Sequence, residues 1–298
     1  MILKFNREVA DAFQTNKPIV ALESTVIAQG LPYPQNLETA FKLEKTVREN
    51  GAIPATIAVF DGEFHVGLNE NQIERLATEK NIRKISRRDL PVAVGKRLNC
   101  ATTVATTAFI AHLAGIKVFA TGGIGGVHRG FSADISADLP ELANTPIVVV
   151  CSGAKIVLDL SATREWLETN GVCVLGFGCD QMPAFYSRKS NLSVDERVET
   201  IEEVAEIVRA RDQLNLKGAI LLTVPVPETF EIGTEELEKI LRESLKLADE
   251  KKISGKETTP FLLAQMSEKS AGKTLAANIA LLENNARVAA QVACALKK

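Results

Sequence analysis

The residues able to do chemistry in this chain gather in four short segments, each following an apolar run. They are Ala21-Leu22-Glu23-Ser24-Thr25, Thr121 through Gly130, Ser152-Gly153-Ala154-Lys155 and Phe177-Gly178-Cys179-Asp180. Lys155 follows a strand core and a Ser-Gly pair, where partial desolvation would lower its pKa and let the amine attack an anomeric carbon. The same lysine could equally be a surface residue that starts the next connection. Glu23 at a strand end suits general acid/base work if its environment tunes it, and it suits helix capping as well. Ser24 and Thr25 would orient it or fix the turn.

The loop Thr121-Gly122-Gly123-Ile124-Gly125-Gly126-Val127-His128-Arg129-Gly130 has glycine spacing and two basic neighbours suited to an oxyanion. Three readings stay open: a phosphate approached by backbone N–H groups, a purely conformational turn, or a nucleotide cofactor. It is neither a Walker loop nor a dinucleotide fingerprint. Asp134 and Asp138 are four apart, so a helix would place them on one face, where carboxylate oxygens suit a hard cation such as Mn2+ or Mg2+. Capping is the competing role. Lys84, Arg87, Arg88 and Lys96 form a basic stretch, part phosphate contact and part solvated surface. Asn278 offers a donor and an acceptor that could read an amide-bearing base, although a lone asparagine is more often structural.

The elements that must position these groups follow from the apolar pattern. Ile19 to Leu22, Ile116 to Ala120, Pro146 to Cys151, Val172 to Phe177 and Gly218 to Val224 are short, nearly continuous apolar runs separated by helical stretches. That alternation predicts an α/β/α layered fold with a central, mostly parallel or mixed sheet. Ala52 to Phe60 and Phe64 to Gly67 predict a hairpin across Asp61-Gly62. Helices are expected from Gln35 to Asn50, over Asn71 to Glu79, Cys100 to Leu113, Asp138 to Ala143 and Ser161 to Asn170, and after Asp195 to about Asp212. A helical C-terminal portion is expected over Thr234 to Ala248, Pro260 to Lys269 and Leu275 to Leu296. With no repeat or low-complexity linker, residues 1 to 298 read as one domain. In such sheets ligands collect beyond the carboxyl ends of the strands, where all four segments fall.

Composition narrows the function classes. A formal net charge of −2 over 298 residues gives no support to binding a nucleic-acid polymer. No apolar stretch reaches membrane-spanning or signal-peptide length, which predicts a cytoplasmic protein away from membranes. Five cysteines without metal-ligand spacing read as reduced thiols, and three histidines argue against a histidine-rich zinc site.

Five stretches carry a resemblance: ALESTVIAQGLPYPQN at 21 to 36, KISRRDLP at 84 to 91, ATGGIGGVHRG at 120 to 130, DISADLPEL at 134 to 142 and VCSGAKIVLD at 150 to 159. With LAANIALLENNARVAAQVA at 275 to 293, they span nearly the whole chain. Together they resemble the pseudouridine-5'-phosphate glycosidase family, also called indigoidine synthase A-like. The resemblance implies reversible cleavage of the carbon-carbon glycosidic bond of pseudouridine 5'-phosphate to uracil and ribose 5-phosphate, physiologically towards breakdown. Lys155 would form an imine with C1' of the ring-opened ribose. Glu23 would act as acid/base, Lys84 would assist proton transfer or orient the sugar, and Asp138 would hold Mn2+, with Mg2+ or another divalent cation as a substitute. Thr121, Gly122, Gly123, His128 and Arg129 would join Lys84 in binding the substrate, while Asn278 would recognise uracil. A homotrimer is implied, and so is a separate pseudouridine kinase to supply the substrate. The same lysine chemistry on another phosphorylated nucleoside, or a noncatalytic binding protein of this fold, would be the alternatives.

Overall fold

The computed structural model describes residues 3–130, 133–253 and 258–297. Among these, eleven strands form one mixed sheet: β1 (Leu3–Phe5), β2 (Ile19–Leu22), β3 (Ile53–Phe60), β4 (Glu63–Val66), β5 (Arg83–Ile85), β6 (Cys100–Thr102), β7 (Val118–Ala120), β8 (Val148–Cys151), β9 (Cys173–Phe177), β10 (Glu196–Val198) and β11 (Ile220–Thr223). The main path runs β1-β4-β3-β2-β7-β8-β11-β9-β10, and β5 and β6 branch from β3. From β3 through β10 every neighbouring pair on this path is parallel. β4 runs antiparallel to β3 across a turn in which Asp61 and Gly62 both have positive φ, 52° and 77°. This is the conformation that favours Asp-Gly in two-residue hairpin loops.

The central strands are apolar on both faces because helices cover both. Every residue of β8 is fully buried, and burying each valine side chain stabilises the fold by roughly 1.5–3 kcal/mol. Helices Gln35–Glu49, Ile201–Gln213 and Lys273–Ala295 pack together as one outer layer, and Val104–Leu113, Asp138–Asn144 and Leu160–Thr169 form the other. Thr234–Glu250 pairs with Thr258–Lys269, which also packs against Lys273–Ala295. The expected layered architecture and helical C-terminal portion are both present.

Two expected helix starts are strands instead. Cys100–Thr102 is β6, and the helix begins only at Val104, where the Thr103 side chain accepts from the Thr106 amide. Residues 196–198 are β10, and the following helix starts at Ile201 behind a capping box formed by Thr200 and Glu203. Lys84, expected in a basic stretch of no assigned structure, lies on β5.

One junction of the sheet prepares the site. β3 pairs through Ile53–Thr56 with β2 and through Ala58 and Val59 with β6. Where β2 ends at Leu22, the chain bends at Glu23 and Ser24, and the Ser24 hydroxyl oxygen accepts from the Thr102 amide at 2.9 Å. The Thr25 hydroxyl donates to the Thr102 carbonyl at 2.7 Å. β6 thereby brings β5, paired in parallel with it, beside the end of β2.

Candidate active site

Glu23 sits at this junction and is 8% exposed. The Thr121 hydroxyl, from the end of β7, donates to its Oε1. Burial pushes the Glu23 carboxyl above its ordinary value. Lys155, the Thr121 hydroxyl and Lys84 pull the other way, and the Asp138 charge adds to the upward push. Desolvation wins, which turns an ordinary carboxylate into one able to hold a proton nearer neutral pH. Glu23, Lys84 and Lys155 come from the ends or edges of three different strands and line the same cleft.

Two compartments meet at these residues. One is walled by Phe185, Leu263 and Leu282, with the primary amides of Gln29 and Asn278 as its uncharged polar side chains beside Thr25 and Thr259. The other is walled by Ser86, Arg88, Thr103, His128, Asp134 and Asp138. Glu23, Thr25, Lys84, Lys155 and Thr259 belong to both. The cleft is therefore apolar with two amide groups at one end and polar at the other, where Arg88 and His128 stand beside the Asp134 and Asp138 carboxylates. A two-part ligand with a flat, amide-containing part and a charged part matches that division.

The glycine loop serves this arrangement mainly by packing. A side-chain carbon on Gly123 would lie 2.7 Å from the Phe185 ring and 2.9 Å from the Gly153 carbonyl, distances no real contact adopts. Among the described residues, five of the loop's ten backbone N–H groups are spent inside the protein. The amides of Thr121, Ile124, Gly125, Val127 and His128 donate to Val150, Gly153, Asp138, Thr163 and Asp134. Asn285 adds a further clamp, donating to the Thr121 carbonyl at 2.9 Å. Of the expected binding residues in this loop, Gly122 and Gly123 line the apolar compartment and His128 the polar one. Thr121 is buried behind Glu23 and holds it, and Arg129 is exposed and lines neither compartment.

The basic stretch also divides. Arg88 reaches the polar compartment. Arg87 is paired with Glu141 at 3.1 Å and lies over the Phe109 ring, and Lys96 ends the helix Leu90–Gly95.

Asp138 is 5% exposed and begins the helix Asp138–Asn144, and its two oxygens accept from the Ala105 amide at 2.9 Å and the Gly125 amide at 2.8 Å. The capping role weighed against metal binding is thus a real part of its work. Each oxygen keeps lone-pair capacity, and the exposed Asp134 carboxylate shares its cavity wall. Among the described residues no cluster of three or more histidine, cysteine, aspartate or glutamate side chains is placed to hold a metal. One or two carboxylates with water and substrate oxygens still fit a hard divalent cation, which commonly binds in that way.

Two cleft residues escape a reading of the sequence. Phe185 adopts φ of 63°, rare for an aromatic residue, and packs at 4.7 Å from Tyr186 while walling the apolar compartment. Gln29 sits in the π-helical turn Val26–Gly30 directly after Glu23. Such turns recur at functional sites, but no spacing in the chain announces this one. All five cysteines are free, as expected, and among the described residues no helix is long and apolar enough to cross a membrane.

The family model for indigoidine synthase A like protein matches residues 8–295. A pseudouridine-5'-phosphate glycosidase of Clostridium botulinum is 52% identical over 99% of this chain and 97% of its own length. Another, from Caldanaerobacter subterraneus, is 53% identical with the same coverage. Among solved structures, the prealnumycin C-glycosynthase AlnA in complex with ribulose 5-phosphate superposes with a TM-score of 0.91 at 40% identity, covering 99% of this chain and 97% of that one. An indigoidine synthase A-like protein of Thermotoga maritima gives 0.92 at 37% identity, covering 100% and 97%. With the family model spanning almost the whole chain and close relatives matched end to end, this chain belongs to the pseudouridine-5'-phosphate glycosidase, or indigoidine synthase A-like, family.

Proposed function

We propose that the protein is an enzyme that reversibly cleaves pseudouridine 5'-phosphate to uracil and ribose 5-phosphate through a covalent adduct on Lys155. The observation that carries this reading is the meeting of Lys155, Glu23 and Lys84 between an apolar, amide-bearing compartment and a polar, charged one. The names of the curated relatives support the substrate. The C-glycosynthase relative supports a site able to handle a sugar-carbon bond in the forming direction too.

The chemistry explains why a lysine is needed. A carbon leaving group cannot be released by protonating a heteroatom as in ordinary glycosidases. Attack of the neutral Lys155 amine on C1' opens the ribose ring, and the O4' oxygen leaves and takes up a proton. A proton delivered to C5 of the uracil ring prepares the carbon-carbon bond. The nitrogen lone pair then forms C1'=N while the C1'–C5 pair returns to the ring, freeing uracil. Water adds to the iminium, and ribose 5-phosphate departs from the regenerated amine. Glu23, buried and raised in pKa, is the proton donor and acceptor in this scheme, and Lys84 orients the sugar and lowers the cost of the Glu23 charge.

Ribose phosphate lies in the polar compartment, against Arg88, His128 and the N-terminus of Val104–Leu113, and uracil lies against Phe185 and Asn278. A divalent cation, Mn2+ or Mg2+, would be held by Asp138 together with Asp134 and would supply charge neutralisation beside the phosphate. The proposal includes a homotrimer, cytoplasmic breakdown as the working direction, and a separate pseudouridine kinase as the source of substrate.

The test is incubation with pseudouridine 5'-phosphate and Mn2+, with both products quantified by chromatography beside Lys155→Ala. Release by the parent and loss by roughly 10³-fold or more in the variant is expected for an essential nucleophile. Equal release by the variant would remove Lys155 from the mechanism, and no release by the folded parent would remove the substrate.

A further inference from the structure

Gln29 lies where the turn Val26–Gly30 passes the entry to β5. Its Nε2 donates to the Ile82 carbonyl at 2.8 Å. A carbonyl can only accept, so this bond fixes which end of the amide is which and leaves Oε1 as the remaining acceptor. Oε1 is buried and has no hydrogen-bond partner, and Gln29 lines the apolar compartment.

The turn that carries it is not free to relieve this. The Ile27 and Ala28 amides both donate to the Ser24 carbonyl at 3.1 Å, and Asn36 Nδ2 donates to the Ile27 carbonyl at 2.8 Å and to the Ala77 carbonyl at 3.0 Å. A fixed, buried acceptor without a protein partner costs stability unless a ligand or water supplies the donor.

Resting on the proposed function, we propose that Gln29 is a specificity-determining residue whose Oε1 accepts a hydrogen bond from a ring N–H of the pyrimidinedione. A base attached through carbon keeps both of its ring nitrogens protonated, whereas one attached through nitrogen has lost one of those donors. N3–H is present in both linkages, so the acceptor selects for the carbon-linked ring or for free uracil where the donor it meets is N1–H. Asn278, which lines the same compartment and carries both a donor and an acceptor, can satisfy the ring carbonyls.

The experiment compares the parent and Gln29→Met on pseudouridine 5'-phosphate and on its N1-methyl and N3-methyl derivatives. Borohydride trapping of ribose 5-phosphate on Lys155 is the control, because it needs no base. The parent is expected to lose roughly 10- to 100-fold in kcat/KM on one methyl isomer, the cost of leaving a buried acceptor facing a methyl group. Gln29→Met is expected to trap ribose 5-phosphate as the parent does, to raise KM for uracil in the reverse reaction by about tenfold or more, and to shrink that one isomer's penalty while leaving the other's. A variant that slows all three substrates equally would make Gln29 a merely structural residue and overturn the assignment, as would one that keeps both penalties. A parent that traps ribose 5-phosphate yet releases no uracil would overturn the substrate reading itself.

Discussion

The two compartments of the cleft satisfy their polar groups in opposite ways. In the polar half, Asp138 already holds two backbone amides, one of them from the neighbouring glycine loop, which spends five of its ten N–H groups on the protein. In the apolar half, Phe185, Leu263 and Leu282 surround two primary amides, one of them with an unpaired oxygen. The polar side is a wall whose shape is set in part by folding, whereas the apolar side keeps hydrogen-bonding capacity in reserve. Sugar phosphate should therefore be gripped by position and charge, and base identity should be read by a few uncommitted atoms.

The residue joining the halves should break the comparison most severely. Glu23→Gln is expected to lower kcat by roughly 10²- to 10⁴-fold while leaving borohydride trapping of ribose 5-phosphate measurable. Its stability should move the other way. Because the folded carboxyl binds its proton more tightly than the unfolded one, the fold loses stability as pH rises from the ordinary carboxylate range through the raised value. The uncharged amide of the Glu23→Gln variant would escape that loss, so thermal melts should show the variant gaining on the parent at pH 7 and the gain shrinking towards pH 4.5.

In the polar wall, Asp138→Asn exchanges one accepting oxygen for an NH2 group facing a backbone N–H. A loss of about 1–3 kcal/mol in urea unfolding is expected. Asp134→Asn should leave unfolding unchanged and weaken the divalent-cation dependence of activity instead. The reverse pattern would mean that Asp138 is the freer ligand.

A sharper use of the comparison is a pair of single changes. Asn278→Ala should raise KM for uracil in the synthetic direction by roughly tenfold and spare ribose 5-phosphate. Arg88→Ala should do the opposite, and by less, about two- to fivefold, because an exposed cation is screened by solvent. If both variants shift both ligands alike, the division of the cleft is wrong.

The sequence reveals what depends on local pattern. The runs at 19 to 22, 146 to 151, 172 to 177 and 218 to 224 correspond to β2, β8, β9 and β11 because strands buried on both faces are apolar without alternation. β7, only three residues long, registers through the apolar run at 116 to 120, whereas β5 and β10 are polar and β6 runs on into the helical pattern of Val104–Leu113, so these three go unmarked or resemble helix. Glu23 and Lys155 are visible as polar residues at strand ends. The Thr121 hydroxyl bond to Glu23 joins residues 98 apart, and the fixing of Gln29 by Ile82 joins residues 53 apart. Neither leaves a trace in spacing. The glycine loop shows the opposite limit, since a spacing that could cradle phosphate serves close packing against Phe185, Ser136 and Thr163 just as well.

The bond donated by the Thr102 amide to Ser24 and the one donated by Thr25 to the Thr102 carbonyl act as a clasp between two parts of the sheet. Thr102 is the register partner of Ile85, the residue after Lys84. The acid and the lysine therefore share one mechanical reference point although they stand 61 positions apart in the chain. Ser24 is fully buried and borders neither compartment. On the proposed mechanism its replacement by alanine would loosen the placement of Glu23 against β6 and lower activity from a position outside both compartments.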